Sequence, residues 1–214
     1  MKPLKMAVTL ALGLVAGACS NTERSRNLDD PAVPAQAMAQ QACALCHGQG
    51  GRSTNPGFPK LAGQQAPYLE GQLKAFRGKN RSDPAGEQYM WGLSKTLTDE
   101  QIAGLASYYA AQTPGAADAG ADPALAAEGK TIFEKGVPEE QVPACNSCHG
   151  SSGQGNGVIP RIAGQHGDYL RKQLLIFQGT EQRPDGVAMK MVTHKLSDHQ
   201  MQALAAYIQG LSAG

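Results

Sequence analysis

Cys43-Ala44-Leu45-Cys46-His47 and Cys145-Asn146-Ser147-Cys148-His149 are two copies of one pattern, C-x-x-C-H, set 102 residues apart. Two thiols one helical turn apart can each add to one vinyl group of a haem, and the adjacent histidine then lies under the iron as its proximal nitrogen ligand. Zinc is a poorer account: the two C-x-x-C pairs would have to meet across about 100 residues, leaving both following histidines unexplained. An all-disulfide scheme fails on arithmetic, because the chain has five cysteines. With Cys19 set aside, the other four all belong to the two signatures. The expectation is two covalently attached haem c groups, one on Cys43 and Cys46 and one on Cys145 and Cys148, with His47 and His149 on the irons.

Outward from the signatures the chain is a tandem repeat. Pro59–Gly78 (PKLAGQQAPYLEGQLKAFRG) aligns with Pro160–Gly179 (PRIAGQHGDYLRKQLLIFQG), with ten of twenty positions identical. Leu97-Thr98-Asp99 matches Leu196-Ser197-Asp198 at an offset of 99. The Pro114–Asp122 stretch, rich in Gly, Ala and Asp, reads as a linker. The expected organisation is a domain over 36–113, a linker over 114–122 and a second domain over 123–214.

Both domains read as helical, with no convincing alternation for a strand. Asp122 and Pro123 suit the start of a helix running to about Lys135. Thr98 with Gln101, and Ser197 with Gln200, form capping boxes ahead of the last helices. Their apolar stripes are Ile102, Leu105, Ala106, Tyr109 and Met201, Leu204, Ala205, Ile208. Tyr68, Leu69, Leu73, Phe76 and Tyr169, Leu170, Leu174, Phe177 fall at helical spacing. Glycines after each signature, Gly48 and Gly150 among them, suit a chain bending closely past a flat group.

One histidine leaves a second axial position, which electron-transfer sites close, often with methionine. Met90 is the one methionine after the first signature in its domain, seven residues before Leu97. Its equivalent is Met189, seven before Leu196; Met191 competes, because the upstream alignment at an offset of 101 pairs it with Met90. Met189 is preferred because the downstream match contains no gap. His166, His194 and His199 have no counterparts in the first repeat and read as surface histidines. Pro59 and Pro160 follow their histidines by 12 and 11 residues, so this loop is placed to supply the acceptor that steadies the other ring nitrogen.

At the N-terminus, Lys2 and Lys5 precede an apolar run from Met6 to Val15, then Ala16-Gly17-Ala18. This is a secretory signal over 1–18, too short to span a membrane. Cys19 follows directly and resembles the lipid-modified cysteine of bacterial lipoproteins, although Ala16-Gly17-Ala18 also serves an ordinary signal peptidase. Residues 19–35 read as a flexible tether. The 214 residues carry a formal net charge of +1, which argues against a nucleic-acid partner. Aromatic residues make up 5%, a poor supply for two small cores that a bound apolar cofactor repairs.

These residues resemble the cytochrome c4 family of bacterial di-haem cytochromes c. The resemblance rests on the two C-x-x-C-H-G signatures, the P-[KR]-[LI]-A-G-Q stretch with Y-L-x-x-Q-L-x-x-F, and a methionine before L-[ST]-D. It implies an all-α chain of two tandem class I cytochrome c domains, each wrapped around one covalent haem. It also implies axial pairs His47 with Met90 and His149 with Met189. The implied role is periplasmic electron delivery from respiratory-chain donors to a terminal oxidase or reductase, with no catalytic residues. The lipid anchor and the long Gly136–Pro143 segment depart from the family pattern. A cytochrome subunit of a larger dehydrogenase or oxidase complex, and a haem enzyme with one open iron site, stand as alternatives.

Overall fold

The computed structural model describes residues 26–118 and 121–212. The expected signal, Cys19 and the first part of the tether lie outside the described residues, as do Ala119 and Gly120 of the linker. No strand occurs among the described residues; two isolated bridges, Val137 with Val142 and Asn156 with Ile159, are the extended pairing found there.

In the first domain α1 (Ala35–Met38) runs through a wider π-type turn (Ala39–Cys43) into α2 (Ala44–His47). Then follow α3 (Ala66–Arg77), a second π-type turn (Gly86–Met90), α4 (Trp91–Ser94) and α5 (Asp99–Ala110). The second domain holds α6 (Pro123–Lys135), α7 (Asn146–His149), α8 (Gly167–Gly179), α9 (Val187–Thr193) and α10 (Asp198–Gln209). The start signals act as expected. Asp122 accepts from the Ala124 amide at 2.8 Å, and both capping boxes are closed in each direction. The stripes on α5 and α10 are buried and form the centres of the two cores.

Each core rests on a close crossing of its first and last helices. At Gly129 of α6, a Cβ would fall on the Ala203 carbonyl of α10, far inside the 3.0 Å that real Cβ atoms keep. At Gly104 of α5, a Cβ would lie 2.6 Å from the Ala35 methyl of α1. The missing side chain therefore sits on the first helix of one domain and the last helix of the other. Either placement lets the two helices approach closely, backbone against backbone at Gly129 and backbone against the Ala35 methyl at Gly104.

Two segments differ from expectation. The tether was expected to run through residue 35, yet Val33 is 4% exposed and Gln101 Nε2 donates to the carbonyls of Asp30 and Val33. Thr96 Oγ1 also donates to the Leu28 carbonyl at 3.2 Å. Val33, with Leu28 and Ala35 packed beside it and the backbone satisfied by Gln101, lays this stretch on the first core. His166, expected at the surface, is 5% exposed: Asp118 of the linker accepts from its Nδ1 at 2.8 Å and from Lys60 Nζ at 2.6 Å. The linker is thus pinned between the domains.

The domains meet through α3 and α8 with a polar, two-fold-like interface. Arg81 lies over the Phe76 ring and Arg183 over the Phe177 ring, each 4.5 Å from the centroid. Arg81 donates to Gln72, and Arg183 donates to Gln173, Gln72 and Tyr68. Asp83, fully buried, pairs with Arg81 at 2.8 Å. Arg81 also reaches Gln173 and Tyr169 at 3.4 and 3.5 Å, so both arginines find their acceptors partly in the opposite repeat.

Candidate functional site

The C-x-x-C-H residues occupy one helical turn in each domain. Cys43 and Cys145 take the N-cap position of α2 and α7 with identical backbone angles, φ −67° and ψ −32°. The His149 amide bonds the Cys145 carbonyl at 3.0 Å, an α-helical i to i−4 bond that stacks the histidine one turn above the first cysteine. Gly48 and Gly150 then turn the chain at φ +74° and +83°, a conformation that other residues adopt with strain. The four signature cysteines form no disulfide with one another. Before haem attachment, burial pushes the Cys43 and Cys145 thiols up to about 11.

Each histidine is oriented by the loop that follows. His47 Nδ1 is 2.9 Å from the Pro59 carbonyl oxygen, and His149 Nδ1 is 2.9 Å from that of Pro160. A carbonyl only accepts, so Nδ1 carries the hydrogen and Nε2 of the neutral ring holds the lone pair. Burial lowers both pKa values and keeps both rings neutral, although the carbonyl bond pulls the other way. Nε2 of each ring has no protein partner among the described residues. The acceptor loop is itself held by the glycine turn: the amides of Leu61 and Ala62 bond Gly51, and those of Ile162 and Ala163 bond Gly153.

Met90 and Met189 occupy the same place in the two repeats. The Met90 carbonyl accepts from Ser94 Oγ at 2.6 Å, and the Met189 carbonyl from Thr193 Oγ1 at 2.8 Å. Ser94 and Thr193 are buried, and their own carbonyls accept from the amides of Leu97 and Leu196. Met191 stands outside this register and is 63% exposed. In the first domain a run of edge-on rings joins the two halves of the site: His47 to Phe58 at 6.3 Å between centroids, and Phe58 to Tyr89, beside Met90, at 5.7 Å.

The donor set fits a covalent haem. It offers two cysteine sulfurs a turn apart, an imidazole whose lone pair has no protein partner, and a partly buried thioether on a separate helical segment. Sequence reasoning did not anticipate Ser94 and Thr193, although both lie at the same offset of 99 as their methionines. Nor did it foresee Arg81, Asp83 and Arg183, whose partners come partly from the opposite repeat.

The Cytochrome c family model matches residues 32–111 and again 126–212. The chain is 42% identical over 203 residues to cytochrome c-552 of Acidithiobacillus ferridurans, covering 94% of this chain and 85% of that protein. It is 36% identical to cytochrome c4 of Pseudomonas aeruginosa over 99% of this chain and all of that one. A protein of Stutzerimonas stutzeri named "Thiosulfate dehydrogenase electron acceptor" is 35% identical over 79% of this chain and 78% of its own length. Among solved structures, cytochrome c4 of Acidithiobacillus ferrooxidans superposes with a TM-score of 0.72 at 42% identity, covering 79% of this chain and 98% of that one. Two signatures, two matched domains and this likeness across nearly the whole chain place it in the cytochrome c4 family, as a di-haem electron-transfer cytochrome with two covalently bound haem c groups.

Proposed function

We propose that the haems are held by thioethers to Cys43 and Cys46 and to Cys145 and Cys148, with iron ligated by His47 and Met90 in the first domain and by His149 and Met189 in the second. The observation that carries this is the duplicated geometry: each histidine fixed through Nδ1 to a proline carbonyl, each methionine carbonyl held by a buried hydroxyl four residues on. The group, when bound, supplies a one-electron couple between ferric and ferrous iron. The chain does the rest. Burial keeps the imidazoles neutral, the proline carbonyls orient them, and the hydroxyl bonds fix the turns that carry the methionines. A ligand set already in place needs little rearrangement between oxidation states, which suits a carrier and leaves no open position for a substrate.

The protein is further proposed to work outside the cytoplasmic membrane, carrying electrons from respiratory-chain donors to a terminal oxidase or reductase, with no substrate turnover of its own. Among the described residues no helix is long and apolar enough to cross a membrane. Attachment falls to a lipid on Cys19, which restricts the carrier to a surface rather than spanning it. A second reading, the dedicated acceptor of one dehydrogenase, draws on the relative named for that role.

Replacing Met90 or Met189 with Ala tests the ligand set: each variant is expected to lose the methionine-to-iron signal of one haem only, while Met191→Ala loses none. Retention of both signals in Met189→Ala would overturn the assignment. Mass spectrometry of the native protein checks the anchor; an unmodified Cys19 at the mature N-terminus rules it out.

A further inference from the structure

The peptide group between Pro59 and Lys60 has partners on both sides. Its carbonyl oxygen accepts from His47 Nδ1 at 2.9 Å. Its N–H, the amide of Lys60, donates to Gln165 Oε1 at 2.8 Å. The peptide between Pro160 and Arg161 does the same: its oxygen accepts from His149 Nδ1 at 2.9 Å and its N–H donates to Gln64 Oε1 at 2.8 Å. Each glutamine closes a second bond. Gln165 Nε2 donates to the Lys60 carbonyl and Gln64 Nε2 to the Arg161 carbonyl, both at 2.9 Å. Gln64 and Gln165 stand at the same place in the repeat and are 6% and 7% exposed. The peptide that steadies each histidine is therefore gripped by a glutamine of the other domain.

A peptide group transmits such a grip. Drawing on its N–H shifts electron density toward its oxygen, and chained hydrogen bonds strengthen one another by about 10–30% per bond. A more negative Pro59 oxygen draws harder on the His47 Nδ1–H and makes Nε2 a stronger donor. A stronger donor favours ferric iron and lowers the reduction potential.

We propose that Gln64 and Gln165 are crossed positioning residues: Gln165 of the second domain sets the potential of the first haem, and Gln64 of the first domain sets that of the second. This rests on His47 and His149 being the iron ligands. Domain adhesion alone predicts something else, a change shared by both haems or confined to stability. The crossed arrangement also ties the domain interface to both redox centres, so a partner that loosens the interface alters both potentials without touching either haem.

The test uses the full-length holoprotein, with the potential of each haem followed through its own paramagnetic NMR signals. Gln165→Leu is expected to raise the potential of the first haem more than that of the second, and Gln64→Leu to do the reverse. Equal shifts, no shift, or a larger shift in the glutamine's own domain would overturn the proposal. The wild-type protein provides a second measurement that no folding failure can obscure. The Lys60 and Arg161 amides are expected to exchange slowly with solvent, although both lie in loops; fast exchange at both would also overturn it. His47→Ala separates this failure from that of the ligand reading. An unchanged ligand field in that variant sinks the ligand assignment. A changed one, with no potential shift in Gln165→Leu, sinks the crossed role alone.

Discussion

Replacing Gly129 by alanine adds one methyl group where α6 crosses α10, and two effects of opposite sign compete there. In a helix interior, alanine is better than glycine by about 0.8–1.0 kcal/mol. At this position the new Cβ falls on the Ala203 carbonyl, and an approach of 3.0 Å is reached only if the helices part by about 1 Å. Forcing a close-packed contact apart costs about 1–3 kcal/mol, and the neighbour is backbone rather than a side chain that can swing away. Packing against rigid backbone is expected to win, leaving the second domain up to about 2 kcal/mol less stable. Gly71 of α3 is the internal control. It also lies within a helix, but a Cβ there meets nothing within 4 Å. Gly71→Ala is expected to stabilise the first domain by about 0.5–1 kcal/mol. Denaturant unfolding, with each domain followed through its own haem signals, reads both variants. Stabilisation by Gly129→Ala would refute the argument that backbone contact between first and last helix organises the domain.

Asp83 is fully buried beside Arg81, whose bonds hold its carboxyl below the usual carboxylate range even though burial alone acts to raise it. A depressed value contributes stability above the unfolded carboxylate value of 3.8 and loses it as pH falls through the folded one. Asp83→Asn is accordingly expected to cost about 3–5 kcal/mol at neutral pH, by leaving a buried guanidinium uncompensated, and to flatten the acid limb of the stability profile below about pH 4. A variant with an unchanged acid limb contradicts that reading. Thr193→Val removes the hydroxyl that holds the Met189 carbonyl; the methionine-to-iron signal of the second haem is expected to weaken or broaden while that of the first stays unchanged, as judged by ferric NMR.

Much of this arrangement is legible in the sequence, because haem attachment is a covalent demand written in five adjacent residues. The capping boxes and the α5 and α10 stripes are equally local, each set by spacings within one helix. The choice between Met189 and Met191 is less legible, since the repeats differ by two residues somewhere between Gly78 and Met90. The buried hydroxyls of Ser94 and Thr193 supply the register that alignment lacks. His166 was misread because its burial depends on Asp118, 48 residues away in a stretch whose composition suggests only a linker. The packed end of the tether was missed for a similar reason: Leu28 and Val33 are scattered apolar residues until Gln101, about 70 residues on, bonds the carbonyls of Asp30 and Val33. Gln64 and Gln165 show most plainly where a sequence runs out. Their identity in both repeats is visible, but the exchange of partners between domains exists only once the two repeats face each other.

In the proposed ligand set, protein side chains close both irons, and the molecule passes electrons without turning over a substrate. The direct measurement is the optical spectrum of the fully reduced holoprotein before and after exposure to carbon monoxide. With both irons closed, no change is expected at either haem. A shift at one of them would contradict it, marking an open or loosely held iron and a haem that does chemistry of its own.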